Sequence, residues 1–178
     1  VHHNIWDYDL PAQPNLVTVT RLGKPVAAVA QVTKTGFVFL FDRVTGKPLF
    51  DIEERPVPKS EVPGEFTYPT QPFPVKPPPF TRQSMKPDEL TSVTPESRAF
   101  CEAIIKDAVF GGLYTPIGFR KTILFPSTNG GANWGGVAVD PHRNRVFVNT
   151  NSAIHHVTLL APDEAARRRA EERGKEIS

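Results

Sequence analysis

From Asn15 onward the chain is a series of short apolar runs separated by turn residues. Asn15-Leu16-Val17-Thr18-Val19-Thr20-Arg21-Leu22 alternates and is rich in β-branched residues, which predicts a strand. Gly23-Lys24-Pro25 predicts a turn, and Val26 to Val32 is near-continuously apolar, as expected of a central strand covered on both faces. Thr33-Lys34-Thr35-Gly36 turns the chain again, and Phe37 to Phe41 predicts a third strand. Asp42 to Lys47 has the chemistry of a tight hairpin: Asp42 can accept from the backbone two residues on, and Gly46 can take a positive φ. Pro48 to Ile52 predicts a short outer strand, since a Pro near its start fits an edge. The expectation is a four-stranded antiparallel meander.

Residues 53 to 95 break this pattern. Eleven of the 19 prolines lie there and neither period is present, which predicts a long extended excursion. Phe66, Tyr68, Phe73 and Phe80 are spaced along it, and disordered linkers are poor in aromatics, so the reading is an ordered segment packed over a surface. Thr94-Pro95-Glu96 reads as a helix start, with Phe100, Ala103, Ile104 and Ala108 on one face and the end at Gly111-Gly112. Cys101 falls off that stripe and reads as a small, partly buried thiol. Strands are expected at Lys121–Phe125, Gly135–Asp140, Arg145–Asn149 and Ala153–Leu160, with a glycine- and asparagine-rich loop from Pro126 to Trp134. A helix rich in Ala, Arg and Glu follows Pro162. The strand groups 15–52 and 121–160 look like partial repeats of one unit, the sequence mark of a β-propeller.

Composition narrows the function classes. The 21 basic and 19 acidic residues leave a net charge of +2, too small a field to argue for nucleic acid or an anionic membrane. A single Cys excludes an internal disulfide and a cysteine-based zinc site. No apolar run reaches the ~18 residues of a membrane span, and no signal peptide opens the sequence. The start on Val1, without Met, reads as an internal portion of a longer protein.

Candidate chemistry concentrates in the first fourteen residues. Two His, two Asp, a Trp and a Tyr fall between His2 and Asp9, and Pro11 and Pro14 disfavour helix. A rigid loop presenting side chains is expected, and composition alone allows a surface loop whose Trp6 and Tyr8 cover a core edge. The run His2-His3-Asn4-Ile5-Trp6-Asp7-Tyr8-Asp9-Leu10-Pro11-Ala12-Gln13-Pro14 resembles the active-site segment of the pyrroloquinoline-quinone (PQQ) dependent dehydrogenases, in the branch that includes membrane-bound glucose dehydrogenase. The resemblance continues through Thr33–Gly36, Phe41–Gly46, Glu53–Pro58, Pro69–Phe73, Asn133–Pro141 and Asn149.

The resemblance implies a mainly β fold: about two blades of an eight-bladed β-propeller, with a long Pro-rich insertion and one or two short helices. The chain then divides into a first blade region at 1–52, the insertion with its helix at 53–120, a second blade region at 121–160 and a surface helix at 161–178. Asp7 maps onto the catalytic base, placed beside a calcium ion. Lys34 maps onto the cation that hydrogen-bonds the quinone oxygens. Asn149 maps near the cofactor carboxylates, with Asn133 and Trp134 in the matching loop. Implied cofactors are PQQ and calcium. Implied partners are an aldose sugar or alcohol, an acceptor such as ubiquinone or a cytochrome, and the remaining blades, in the periplasm with or without attachment to the inner membrane. The excursion would form part of the lid over the substrate. His2 and His3 receive no ligand role and read as loop supports. Asp9 reads as a brace or backbone cap, His155 and His156 point to opposite faces of a strand, and Arg167 to Arg169 form a solvated helix face. Asn4 stands where relatives often carry Asp. The alternative to the enzyme reading is a non-catalytic propeller fragment with a structural role.

Overall fold

The computed structural model describes residues 1–176; residues 177 and 178, the end of the expected 161–178 helix, lie outside the described residues. Three strands, β1 (Asn15–Arg21), β2 (Lys24–Val32) and β3 (Val38–Asp42), form an antiparallel sheet in the order β1-β2-β3. The β1–β2 turn is Leu22-Gly23, one residue earlier than the sequence pattern places it, and both residues have positive φ, +50° and +75°. Positive φ at both central residues is the hairpin geometry that matches strand twist. Ala28, Ala30 and Val32 bury one face of β2, while Ala27, Val29 and Gln31 on the other are only half-buried, so β2 is not covered on both faces.

The meander stops at three strands. Phe41 bridges Pro48, and the Leu49 N–H donates to the Leu40 carbonyl, but pairing goes no further. Pro48 has no N–H to extend the ladder. The expected outer strand instead leaves as β4 (Ile52–Pro56), which pairs antiparallel with β5 (Thr70–Pro74). Residues 53 to 95 are therefore not without regular structure: they contribute to a hairpin that their proline content conceals. The prolines fit because a sheet of two strands consists of edges.

The helix α1 (Pro95–Ile105) starts as expected, with the Thr94 hydroxyl accepting from the Ser97 N–H and the Ser97 hydroxyl from the Thr94 N–H. It stops short of Val109 and Gly111-Gly112, because Asp107 turns left-handed at φ +59°. Its apolar stripe is not buried: no residue of α1 is in the core, and Phe100 is exposed.

In the second strand group, β6 (Thr122–Leu124) pairs with β9 (His155–Val157), and β7 (Val137–Asp140) pairs with β8 (Arg145–Val148). These are two separate two-stranded ladders, so among the described residues neither strand group closes as a four-stranded unit. His155 is half-buried with its ring against the Thr128 hydroxyl, and His156 is exposed, as their opposite faces require. The chain ends in α2 (Pro162–Glu176).

Three patches of core hold these pieces together. Val17, Ala28, Ala30 and Leu49 back the first sheet. Ala12, Val32 and Ala132 join the opening loop to the glycine-rich loop. Trp6, Tyr8, Phe37, Leu113, Tyr114 and Leu124 form the third, so the opening loop itself contributes the largest buried side chains.

Candidate functional site

The opening loop alternates across its backbone: Trp6 and Tyr8 are buried, and Asp7 and Asp9 are exposed. The Trp6 indole N–H donates to the Thr115 carbonyl at 3.0 Å, and the Tyr8 hydroxyl donates to the Pro126 carbonyl at 2.6 Å. Tyr114 meets both rings edge-on, with centroids 5.2 and 6.0 Å away. Buried aromatics of this kind give large apolar burial and satisfy their polar ends. Burial pushes the Tyr8 phenol well above its usual range, so it remains a protonated donor.

The backbone between these anchors is unusual. His3 and Asp7 have φ of +44° and +63°. The left-handed region costs a non-glycine residue roughly 1–2 kcal/mol and persists only where the surroundings impose it. Here the Asn4 side-chain oxygen accepts from the backbone N–H groups of Trp6 (3.2 Å) and Tyr8 (3.0 Å). The Asn at this position therefore braces the loop as an acceptor.

Lys34 approaches from the β2–β3 turn. Its Nζ donates to the Asp7 carbonyl at 2.9 Å, to Asp7 Oδ2 at 3.1 Å and to Asp9 Oδ1 at 2.5 Å. The Lys34 side chain is only 7% exposed, whereas those of Asp7 and Asp9 are 67% and 54% exposed. The cation is thus sunk into the protein and both carboxylates open to solvent. Burial alone would lower the Lys34 pKa, but the hydrogen bonds it donates to Asp9 and Asp7, with their negative charge, outweigh it and hold the ammonium above its ordinary value. The hydrogen bond from Lys34 correspondingly holds the Asp9 carboxyl below its ordinary value.

The turn carrying Lys34 is fixed on every side. The Thr33 carbonyl accepts from Gly36 N–H, and those of Lys34 and Gly36 accept from Gly131 and Phe80 N–H. The Thr35 carbonyl accepts from Gln83 Nε2 at 2.9 Å. Gly130 lies against the Lys34 stem so closely that a Cβ there would stand 2.5 Å from Lys34 Cα, Cβ and Cγ. Packing of this kind leaves the ammonium little freedom except toward the two carboxylates.

The remaining sequence-predicted residues gather at the far end of the glycine loop. The Asn133 side chain is used by its own loop, donating to the Asn129 carbonyl at 2.8 Å and accepting from the Trp134 N–H at 2.8 Å. Trp134 is 82% exposed. The Asn149 amide stands over Gly135, 3.8 Å from where a Cβ would lie. No hydrogen bond among the described residues links these three side chains to Asp7 or Lys34; the connection runs through Gly130-Gly131. A groove of about 330 Å³ between Pro11-Ala12-Gln13 and Trp134-Gly135-Gly136 joins the end of the opening loop to this cluster.

Asp9 braces the loop, and does so on the site itself: its carboxylate makes the shortest contact of Lys34. The signal that could have found it is the alternation Trp6-Asp7-Tyr8-Asp9, which puts both carboxylates on one side of an extended loop. Asn4 acts on residues two and four positions on, and the resemblance marks it as a departure; Gln83 and Gly130 have no such signal, since each acts through a contact distant in sequence. Among the described residues no group of three or more His, Cys, Asp and Glu side chains is placed to hold a metal ion. The arrangement offers a buried cation with an adjoining carboxylate, an exposed indole and neutral amides. A cation so held can stabilise negative charge on a neighbouring group, and a solvent-open carboxylate can accept a proton.

Comparison with known proteins places the chain. The family model for the β-propeller domain of PQQ glucose/ethanol/alcohol dehydrogenases matches residues 1–178. The chain is 39% identical over 150 residues to the quinate/shikimate dehydrogenase (quinone) of Acinetobacter baylyi, covering 84% of this chain and 18% of that protein. It is 37% identical over 166 residues to the quinoprotein glucose dehydrogenase of Gluconobacter oxydans, covering 91% of this chain and 20% of the relative. The glycerol dehydrogenase large subunit of the same organism is 34% identical over 177 residues, covering 98% and 23%. The chain therefore spans about a fifth of the length of the curated relatives it matches. No solved structure matches it.

Proposed function

The chain belongs to the PQQ-dependent glucose/ethanol/alcohol dehydrogenase β-propeller family, and on that footing we propose that it carries the base and the quinone-polarising cation of an oxidoreductase acting on an aldose sugar or an alcohol. The observation that supports this most is the contact of Lys34 Nζ with Asp7 Oδ2 at 3.1 Å, with the carboxylate open to solvent.

In this reading Asp7 Oδ2 takes the hydroxyl proton of the substrate. Bound PQQ supplies the electrophilic quinone carbon that receives the hydride. Lys34 Nζ would hydrogen-bond the quinone oxygens on giving up one of its contacts with Asp7 or Asp9, and its positive charge would favour negative charge on them. The turn around Lys34 is already held by Gly131, Gln83 and Phe80, so that stabilisation needs no reorganisation of the turn. Trp134 and Asn149 would offer an aromatic surface and a neutral amide to the rest of the cofactor, and Asn133, whose side chain holds its own loop, would join them on giving up those bonds. The Asp7 and Asp9 carboxylates would be two of the ligands of a calcium ion, being hard oxygen donors of the type calcium prefers. The described residues hold no larger ligand cluster, so the remaining calcium ligands would come from other parts of the full-length protein.

The same proposal makes residues 1–52 and 121–160 portions of two of eight blades, with 53–120 inserted between them and 161–178 a surface appendage. The electron acceptor is ubiquinone or a cytochrome. The compartment is the periplasm, where the full-length protein is soluble or held at the inner membrane. The 178-residue chain alone is inactive, because most of the ring that encloses the cofactor is elsewhere. Dye-linked oxidation of aldoses and alcohols by the full-length protein tests the reading. Activity should appear with added PQQ and calcium and vanish when either is withheld; turnover independent of PQQ would refute it.

A further inference from the structure

Gln71, near the start of β5, is fully buried although β5 belongs to a two-stranded sheet. Its amide is used twice on one residue. Gln71 Oε1 accepts from the His2 backbone N–H at 2.8 Å, and Gln71 Nε2 donates to the His2 carbonyl at 2.7 Å. This reproduces with a side chain the two-bond exchange that paired residues make across antiparallel strands. Further ties come from the same hairpin. The His2 ring meets Glu54 Oε1 at 2.9 Å, and Glu54 Oε2 accepts from the Thr70 hydroxyl at 2.7 Å. The His3 ring stacks on Phe66 with centroids 3.9 Å apart.

These contacts sit at one end of the left-handed stretch. His3 and Asp7 have positive φ; Trp6, held on Thr115, lies between them, and Tyr8, held on Pro126, follows Asp7. A non-glycine residue in this region relaxes unless both flanks are fixed. Of the contacts from the β4–β5 hairpin described above, the Gln71 pair comes from a fully buried side chain and acts directly on the loop backbone, beside the Asn4 brace within the loop itself. The His2–Glu54 contact is exposed and screened by water.

We propose that Gln71 is the positioning residue for Asp7. It fixes the upstream end of the loop so that the Asp7 carboxylate stays on Lys34, and the β4–β5 hairpin buttresses the base instead of closing over the substrate as a lid. This rests on the proposed role of Asp7 as the base.

The test uses the full-length dehydrogenase loaded with PQQ and calcium, carrying Gln71→Leu or Gln71→Glu. Gln71→Glu keeps the size and the acceptor for His2 N–H but loses the donor to the His2 carbonyl; it carries the test if Gln71→Leu fails to fold. Kcat should fall about 10- to 100-fold with KM changed less than about threefold, the size of effect a displaced catalytic group produces. Amide hydrogen exchange should accelerate across residues 3–9 while β1–β3 keep their protection. In an Asp7→Asn background Gln71→Leu should lower kcat no further. The proposal is overturned by unchanged kcat, by an equal fractional loss with and without Asp7, or by exchange that accelerates throughout the first sheet. If Asp7→Asn alone left kcat intact, the base assignment would fail, and the exchange of residues 3–9 would still decide whether Gln71 holds the loop.

Discussion

Lys34 Nζ binds both the carbonyl and the carboxylate of Asp7, 27 residues earlier in the chain, at 2.9 and 3.1 Å. A cation held by the backbone and side chain of one residue reports that residue's position twice over. Any movement of the opening loop changes the setting of Lys34, and the reverse. The two groups form one unit in the sense that their mutational effects should not add.

Asp7→Asn keeps the shape of the side chain and removes its capacity to accept a proton. In the full-length protein kcat should fall about 100- to 10,000-fold, the range for a lost general base. Binding of PQQ, followed by absorbance titration, should be retained within a few-fold. Turnover at the wild-type level would show that the proton leaves by another route.

Lys34→Met retains a stem of similar length for Gly130 to pack against but leaves the two carboxylates without their cation. Because Asp7 and Asp9 are more than half exposed, water replaces the lost contact and the fold should survive. Kcat/KM should drop about 100- to 1,000-fold, the cost of removing one donor from an oxyanion-stabilising site. Steady-state kinetics alongside circular dichroism separates this from unfolding.

The Lys34 hydrogen bond depresses the Asp9 carboxyl pKa in the folded state relative to the ordinary value of 3.8. A depressed carboxylate contributes stability that is fully present above its unfolded pKa and lost as pH falls through its folded pKa. Wild type should therefore exceed Asp9→Asn in stability at pH 5 to 7, and the difference should begin to shrink near pH 3.8 and be lost only as pH falls through the depressed folded value. Solvent exposure limits that difference to under about 1 kcal/mol. Urea unfolding of both proteins across this range is the measurement; a difference that grew in acid would contradict the assignment.

Gly130→Ala introduces a Cβ 2.5 Å from three atoms of Lys34, at a φ of +77° that alanine disfavours. Strain and overpacking together should cost about 2 kcal/mol or more. Activity should fall further than stability alone explains, because the group displaced is Lys34. A thermal shift assay with kinetics at a temperature where the variant is folded distinguishes the two losses.

Asn4→Ala removes the acceptor for the N–H groups of Trp6 and Tyr8, and should destabilise by about 1 kcal/mol, as loss of a side-chain cap does. Asn4→Asp retains the acceptor and should be close to neutral. Equal losses in the two variants, read from denaturant midpoints, would show that the brace is not a hydrogen bond.

Sequence alone determined the local elements where hydrophobic period and turn chemistry agree. β1, β2 and β3 fall within a residue or two of their predicted limits, the Asp42 hairpin forms with Val44 N–H on Asp42 Oδ1, and Thr94 caps α1. These outcomes depend on side-chain alternation, fixed φ and hydrogen bonds a few residues apart, all written in consecutive residues. Asp7 and Lys34 were legible as a pair through family resemblance, and the structure brings them into contact.

Tertiary structure decided the rest. Nothing near Ile52 tells it to pair with Pro74 instead of extending the first sheet, and nothing near Phe100 tells it to stay exposed. Partner choice in a sheet and burial of a helix face depend on chain distant in sequence, and one sequence without that geometry does not rank the alternatives. The same holds for the site. Asp9 on Lys34, Gly130 against its stem and Gln71 on His2 are contacts between residues 25, 96 and 69 positions apart. Each needs two loops brought together by the buried Trp6, Tyr8 and Tyr114, and only the folded chain sets that distance.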